Sequence, residues 1–231
     1  MAEAPELDAE QRAARRDAVG NLGAALRELV DAAVRTEVPI EELEAAEVVA
    51  RELAARLRAE QRGLKSIAAV DDPEIGERWY NPVYGPGSPV APPMVVEDFP
   101  EGRCIGRVTV GKAHEGPPGL VHGGVVATLL DHALARSARV AGRGGLTASL
   151  TVRFKRPIPL GVPLTVTGEL GETVDERRST ATARLTADDD PETTLAEGEA
   201  VLVALRPERA ADVFGATGRR VGAWTAKSPG D

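Results

Sequence analysis

The chain of 231 residues holds one cysteine, Cys104, three histidines, and 3% aromatic residues. A single thiol excludes a disulfide within the chain and fits a reducing compartment. With no partner group in sequence, Cys104 reads as a small core residue. So few rings mean that any core rests on Leu, Val, Ile and Ala. His114, His122 and His132 form no ligand-like spacing with the acids, and Cys104 has no partner thiol, which argues against a zinc site. There is no Walker loop, no Gly-x-Gly-x-x-Gly after a strand, and no Gly-x-Ser-x-Gly elbow. No apolar run approaches the length that spans a bilayer, and the acidic start Met1-Ala2-Glu3-Ala4-Pro5-Glu6 does not read as a signal peptide. A soluble, cytoplasmic protein is the expectation. The formal charge of −8 gives no footprint for nucleic acid, although a local basic patch remains compatible with an anionic ligand.

Four segments are expected. Residues 1–61 read as a helical extension. Val19, Leu22, Leu26, Leu29, Val30 and Ala33 recur at helical spacing, and after Pro39 so do Leu43, Ala46, Ala50, Leu53 and Leu57. Glu41, Glu42 and Glu44 suit the first turn of the second helix. One apolar stripe on each suggests a helical hairpin, used for packing, for dimerisation or as a partner arm. Residues 62–93 form a Pro/Gly-rich linker in which Trp79, Tyr80 and Tyr84 pin the chain to the core or wall a pocket. Residues 94–206 form the main domain. Residues 207–231 show no sustained period and are expected to be irregular and loosely docked, with Trp224 as the anchor.

Within the main domain the period changes to two. Strands are expected at 94–98, 103–112, 146–156, 163–172, 177–187 and 195–205, with one buried helix over 123–140. Along 146–156, Leu146, Ala148, Leu150, Val152 and Phe154 alternate with Thr147, Ser149, Thr151, Arg153 and Lys155. That alternation predicts one buried and one polar face. The fold class is α+β, an antiparallel sheet around one helix.

The segment from Pro117 to Asp131 carries the chemistry. Gly123 and Gly124 stand at the helix start, where unpaired N–H groups and the positive end of the dipole favour developing negative charge. Taken alone, a Gly-Gly pair is more often a plain entry turn. Asp131 lies about two turns further on in an apolar stretch, where a carboxylate has a partner or a job. His122 tempts as a base, but a histidine before a helix start more often bonds the turn. Arg153, Lys155 and Arg156, with Arg136, Arg139 and Arg143, are the candidates for an anionic ligand.

Residues 116–131, Gly-Pro-Pro-Gly-Leu-Val-His-Gly-Gly-Val-Val-Ala-Thr-Leu-Leu-Asp, resemble the signature of the hotdog-fold acyl-CoA thioesterases. The branch is the phenylacetate-degradation type, related to 4-hydroxybenzoyl-CoA thioesterases. The likeness covers roughly 80–205. It implies that Asp131 is general base or nucleophile, that the Gly123 N–H, helped by Gly124, polarises the thioester carbonyl, that His122 shapes the turn, and that Thr147 orients water. It implies that Gly123 and Asp131 of one site come from opposite subunits, so a dimer is required and a tetramer is open. CoA belongs to the substrate, with no separate cofactor; its phosphates would meet Arg143, Arg153, Lys155 or Arg156. One position departs: many relatives carry Asn where this chain has Gly116, and Glu115 or His114 is the nearest substitute. The alternatives are an acyl-CoA-binding or sensing protein without turnover, and a hotdog dehydratase or hydratase.

Overall fold

A computed structural model describes residues 7–72, 75–214 and 224. Six antiparallel strands form one sheet in the order β1-β2-β4-β5-β6-β3, with helix α3 across it. The strands are β1 (Val95–Phe99), β2 (Arg103–Thr109), β3 (Leu146–Phe154), β4 (Pro163–Thr173), β5 (Arg178–Ala187) and β6 (Asp190–Val203). The helices are α1 (Ala9–Arg35), α2 (Ile40–Arg58), α3 (Gly123–Val140) and α4 (Pro207–Phe214). This is the α+β layout that the hotdog resemblance implies: a sheet wrapped around one long helix.

Spacing explains how α3 seats. Val126, Leu129, Leu130, Ala133, Leu134, Ser137 and Ala138 are its buried residues, stepping by three and four as one helical face must. They meet the inward residues of the central strands, among them Leu164, Val166, Leu185, Ala196 and Leu202. Aliphatic side chains supply nearly all of this core. Cys104 lies within it, its thiol 3.3 Å from the Ala133 carbonyl oxygen, and burial raises its pKa to about 11.

Strand β6 begins at Asp190, five residues earlier than expected, because Asp188-Asp189 alone form the turn: Ala187 already pairs with Asp190. The run Asp188-Asp189-Asp190-Pro191 reads as a longer loop than it makes. Strand β3 departs from expectation more deeply. It lies at the sheet edge and is exposed on both faces, with Val152 alone half-buried. Its apolar face is turned toward the α3 side of the sheet, where Val152 packs against the core but Leu150 and Phe154 remain exposed among the described residues.

The N-terminal helices form without packing as a hairpin. Helix α1 opens with a capping box at Asp8 and Gln11. It docks on the linker, not on α2. Arg16 donates to the Val70 carbonyl and pairs with Glu77 at 2.6 Å, and Arg27 donates to the carbonyls of Pro86 and Ser88, each at 2.8 Å. Gly23, the buried residue of α1, lies where a Cβ would overlap the Pro86 carbonyl oxygen. Helix α2 buries no residue, and its first-turn acids are Glu41 and Glu42. Of its expected stripe, Leu43 and Leu57 are exposed and Leu53 is half-buried, and Ile40 at its start is exposed as well.

The linker turns inward at Val83 and Tyr84, which join the core. After β6 the chain forms α4, where no regular element was expected; its eight residues are too short to show a period. Leu205 N–H donates to the Trp224 carbonyl at 2.9 Å, and Trp224 stacks near Phe214. The rest of 215–231 lies outside the described residues. No helix among the described residues is long and apolar enough to cross a membrane.

Candidate active site

The turn Pro117-Pro118-Gly119-Leu120 delivers the chain to α3. Leu120 N–H closes it on the Pro117 carbonyl at 2.9 Å, and Gly119 takes φ +78, as the third residue of a type II turn must. Glu115 secures the turn, accepting from Gly119 N–H at 2.7 Å and from Lys112 at 2.6 Å. These bonds, Lys112 first, hold its carboxyl below the usual range. His122 N–H then bonds the His114 carbonyl, and Val121 N–H the Ile158 carbonyl.

His122 is the N-cap. Its Nδ1 accepts the Gly124 N–H at 2.9 Å, so Nδ1 carries the lone pair and Nε2 the proton. This corrects the expected share of Gly124 in polarising a carbonyl, because its N–H is already engaged. A Cβ on Gly124 would stand 3.1 Å from His122 Nδ1, so glycine there keeps the cap close. The Gly123 N–H has no partner among the described residues, and it sits where the helix dipole is positive. A Cβ at Gly123 would come 3.3 Å from Phe154 Cζ.

A cleft of about 370 Å³ opens beside Gly123, walled by Leu120, Val126, Phe154, Pro157 and Ile158, with Lys155 and Arg156 at its polar edge. Phe154 is the residue that sequence reading passed over: its alternation placed it in an ordinary strand face, and only the close approach to Gly123 gives it a role here.

Asp131, half-buried, accepts from the Thr147 hydroxyl at Oδ1, 2.9 Å. Plain alternation puts Thr147 on the face opposite Leu150. A bulge moves it: Thr147 pairs with Leu202 and Ser149 with Val201, leaving Ala148 as the extra residue. Leu202 and Ala200 both face α3, so Thr147 shares the α3 side with Leu150, Val152 and Phe154.

Gly116 is closed to any side chain. A Cβ there would lie 2.8 Å from His122 Cα, inside van der Waals contact. Neither neighbour takes over: Glu115 is spent on the turn, and His114 Nε2 bonds the Val90 carbonyl at 3.0 Å.

The expected basic cluster is dispersed. Arg153 pairs with Glu199 at 2.6 Å and Lys155 with Glu197 at 2.7 Å across the β3–β6 ladder. Arg136 is bound to Asp98, Arg143 reaches the Asp175 carbonyl, and Arg139 faces the linker. Arg156 alone of the six stands at the cleft without an ion pair among the described residues. Nor does the linker reach the cleft. Trp79 lies against α1, under Arg16, and Tyr84 stacks on His132 with ring centroids 4.8 Å apart. No group of three or more metal-binding side chains occurs among the described residues.

Comparison with known proteins gives the family. Residues 118–196 match the family model of the Thioesterase superfamily. The crystal structure of a thioesterase superfamily protein is 35% identical, with a TM-score of 0.71, over 80% of this chain and 94% of that one. The acyl-coenzyme A thioesterase THEM4 of Xenopus laevis is 34% identical over 90 residues, 39% of this chain and 40% of that protein. The human acyl-coenzyme A thioesterase THEM5 is 39% identical over 67 residues, 29% of this chain and 27% of that protein. The chain thus spans less than half the length of these curated relatives.

Proposed function

The chain belongs to the thioesterase superfamily, and from that premise we propose that it hydrolyses an acyl-CoA thioester to the free acid and CoA. The observation that carries this is the pairing of one unengaged N–H, at Gly123, with one oriented carboxylate, at Asp131. The names of the curated relatives support the substrate class.

Gly123 N–H receives the thioester oxygen as it gains charge. Asp131 acts on the carbonyl carbon through a water whose proton it takes, or directly as nucleophile. Either way the tetrahedral intermediate collapses by breaking the C–S bond and the CoA sulfur leaves as thiolate. On the water route it takes the proton that Asp131 had accepted. On the nucleophile route water protonates it and a further water cleaves the acyl–Asp131 anhydride, releasing the acid and restoring the carboxylate. Thr147, bonded to Oδ1, fixes the carboxylate and leaves Oδ2 to act. Arg156 at the cleft edge is the best-placed cation for a CoA phosphate. Arg153 and Lys155 are less suited while their charges are matched by Glu197 and Glu199.

One chain cannot assemble this site. Eight residues separate Gly123 from Asp131, about 12 Å along the helix, whereas both must touch one thioester group. A second copy resolves this if the two β3 edges pair antiparallel. That brings two α3 helices side by side in opposite directions, so each Asp131 approaches the other chain's Gly123. The open edge of β3 and its uncovered Leu150 and Phe154 support the arrangement.

The test is release of CoA thiol across a panel from aromatic to long-chain acyl-CoAs. Wild type releases thiol from at least one member, and Asp131→Asn loses roughly 10²–10⁴-fold in rate. Binding without release across the whole panel would instead establish an acyl-CoA-binding protein.

A further inference from the structure

A second cavity, of about 540 Å³, opens at the opposite end of α3, where the linker crosses β1. Arg139 on its wall lies eight residues beyond Asp131 and sixteen beyond Gly123, about 12 and 24 Å along the helix. The cavity is therefore separate from the Gly123 cleft.

Its wall groups are matched except for one. Arg136 makes a two-pronged bond to Asp98, 2.6 and 2.9 Å. Glu77 takes Arg16 at 2.6 Å. The Tyr84 hydroxyl donates to the Gly76 carbonyl and accepts the Arg78 N–H, both at 3.0 Å. Arg139 has only a long 3.4 Å bond from Nη1 to that same Gly76 carbonyl. A guanidinium offers five N–H donors, and among the described residues no carboxylate meets this one. Burial, and next the neighbouring Arg136, push its pKa below the ordinary arginine value, so the charge sits where an anion would stabilise it. Asp98 is thus matched by Arg136, and Glu77 by Arg16 reaching in from α1, which leaves Arg139 without a carboxylate among the described residues in a lining completed by Ile75, Gly76, Tyr84, Val96 and Val140.

We infer that this cavity binds a small monocarboxylate with an apolar body, its carboxylate forked onto Arg139 and its body against Tyr84 and Val96. The planar fork of arginine matches a carboxylate in two parallel bonds. One unmatched guanidinium beside an apolar wall suits a singly charged ligand with an apolar body better than a doubly charged, fully hydrated phosphate. Tyr84 is also the ring stacked on His132, the residue after Asp131, so an occupant rests one side chain away from the catalytic helix turn. The site stands independently of the catalytic reading.

Calorimetric titration of benzoate and of hexanoate into the full chain tests it, with inorganic phosphate as the contrasting anion. Saturable binding of one or both carboxylates, one per chain, is expected, with no saturable binding of phosphate. Arg139→Gln weakens it roughly tenfold or more. Val96→Trp, which fills the cavity without touching its charges, abolishes it. Asp131→Asn leaves it unchanged, which separates this site from product held at the catalytic one. No saturable binding of either carboxylate by wild type overturns the proposal, as does binding that survives Val96→Trp or is lost with Asp131→Asn. Saturable binding of phosphate overturns the carboxylate assignment. If Arg139→Gln fails to fold, Val96→Trp decides.

Discussion

The Thr147 hydroxyl holds Asp131 Oδ1 at 2.9 Å only because a bulge at Ala148 turns Thr147 toward α3. A hydroxyl on an edge strand thereby orients a carboxylate on the buried helix. Losing a hydrogen bond to a charged group costs about 1.5–3 kcal/mol. Thr147→Val should slow thioester hydrolysis roughly tenfold or more, with Thr147→Ser restoring most of it. Equal rates for the Val and Ser variants in a thiol-release assay would remove Thr147 from the mechanism.

His122 is a cap, and caps can be exchanged. Asn is a strong N-cap residue, so His122→Asn should keep both stability and turnover, while His122→Ala should cost about 1 kcal/mol of stability. Denaturant unfolding and thiol release, measured on both variants, separate this from a role as base. A base would be lost equally in each.

Gly116→Asn is predicted to destabilise and not to improve the enzyme. Its Cβ would meet His122 Cα at 2.8 Å, and the strain is about 1–3 kcal/mol or more. Thermal unfolding reads the loss directly; an unchanged melting temperature with faster turnover would contradict it.

The open strand predicts the assembly. Leu150→Lys places a charge on the uncovered face of β3, and should yield a folded monomer that hydrolyses nothing. Light scattering and circular dichroism, together with thiol release, check the three parts. An active monomer would overturn the shared site.

His132 gives the pH dependence its sign. Burial, with Arg136 and Arg139 adding to it, lowers its pKa to about 3 from 6.5, and its Nε2 has no hydrogen-bond partner among the described residues. Between those values the unfolded chain binds a proton that the folded chain refuses. Stability therefore falls as pH drops from about 6.5 toward 3, by up to about 1.4 kcal/mol per unit from this group. In His132→Phe that part of the slope should vanish. Denaturant unfolding at several pH values would show it, and parallel slopes for the two proteins would count against it.

Periodicity made the buried helix and most strand limits legible, because a face that must be buried repeats at the period of its element. The residues of 116–131 carried the resemblance to the thioesterase superfamily that the comparisons bear out. What stayed hidden depends on relations between distant residues. No local pattern marks Ala148 as the extra residue of a bulge, so Thr147 reads as outward. The alternation of 146–156 is real, but among the described residues its apolar face is left largely open at Leu150 and Phe154. The arginines are close in sequence around 136–143 and 153–156, yet Asp98, Asp175, Glu197 and Glu199 draw all but Arg139 and Arg156 apart. Apolar stripes on α1 and α2 suggested a hairpin; the tie between Arg16, Arg27 and the linker carbonyls settles α1 elsewhere.

The position of β2 between β1 and β4 sets a lower bound on what can be cut from this protein. The stretch that matches the family model, 118–196, contains α3 but neither β1 nor β2. A fragment of that extent would leave the whole edge of β4 unpaired and remove Cys104 and Val108 from beneath α3. The stretch that the family model matches is therefore smaller than the sheet it belongs to, and the linker that packs Val83 and Tyr84 into the same core is itself held by α1.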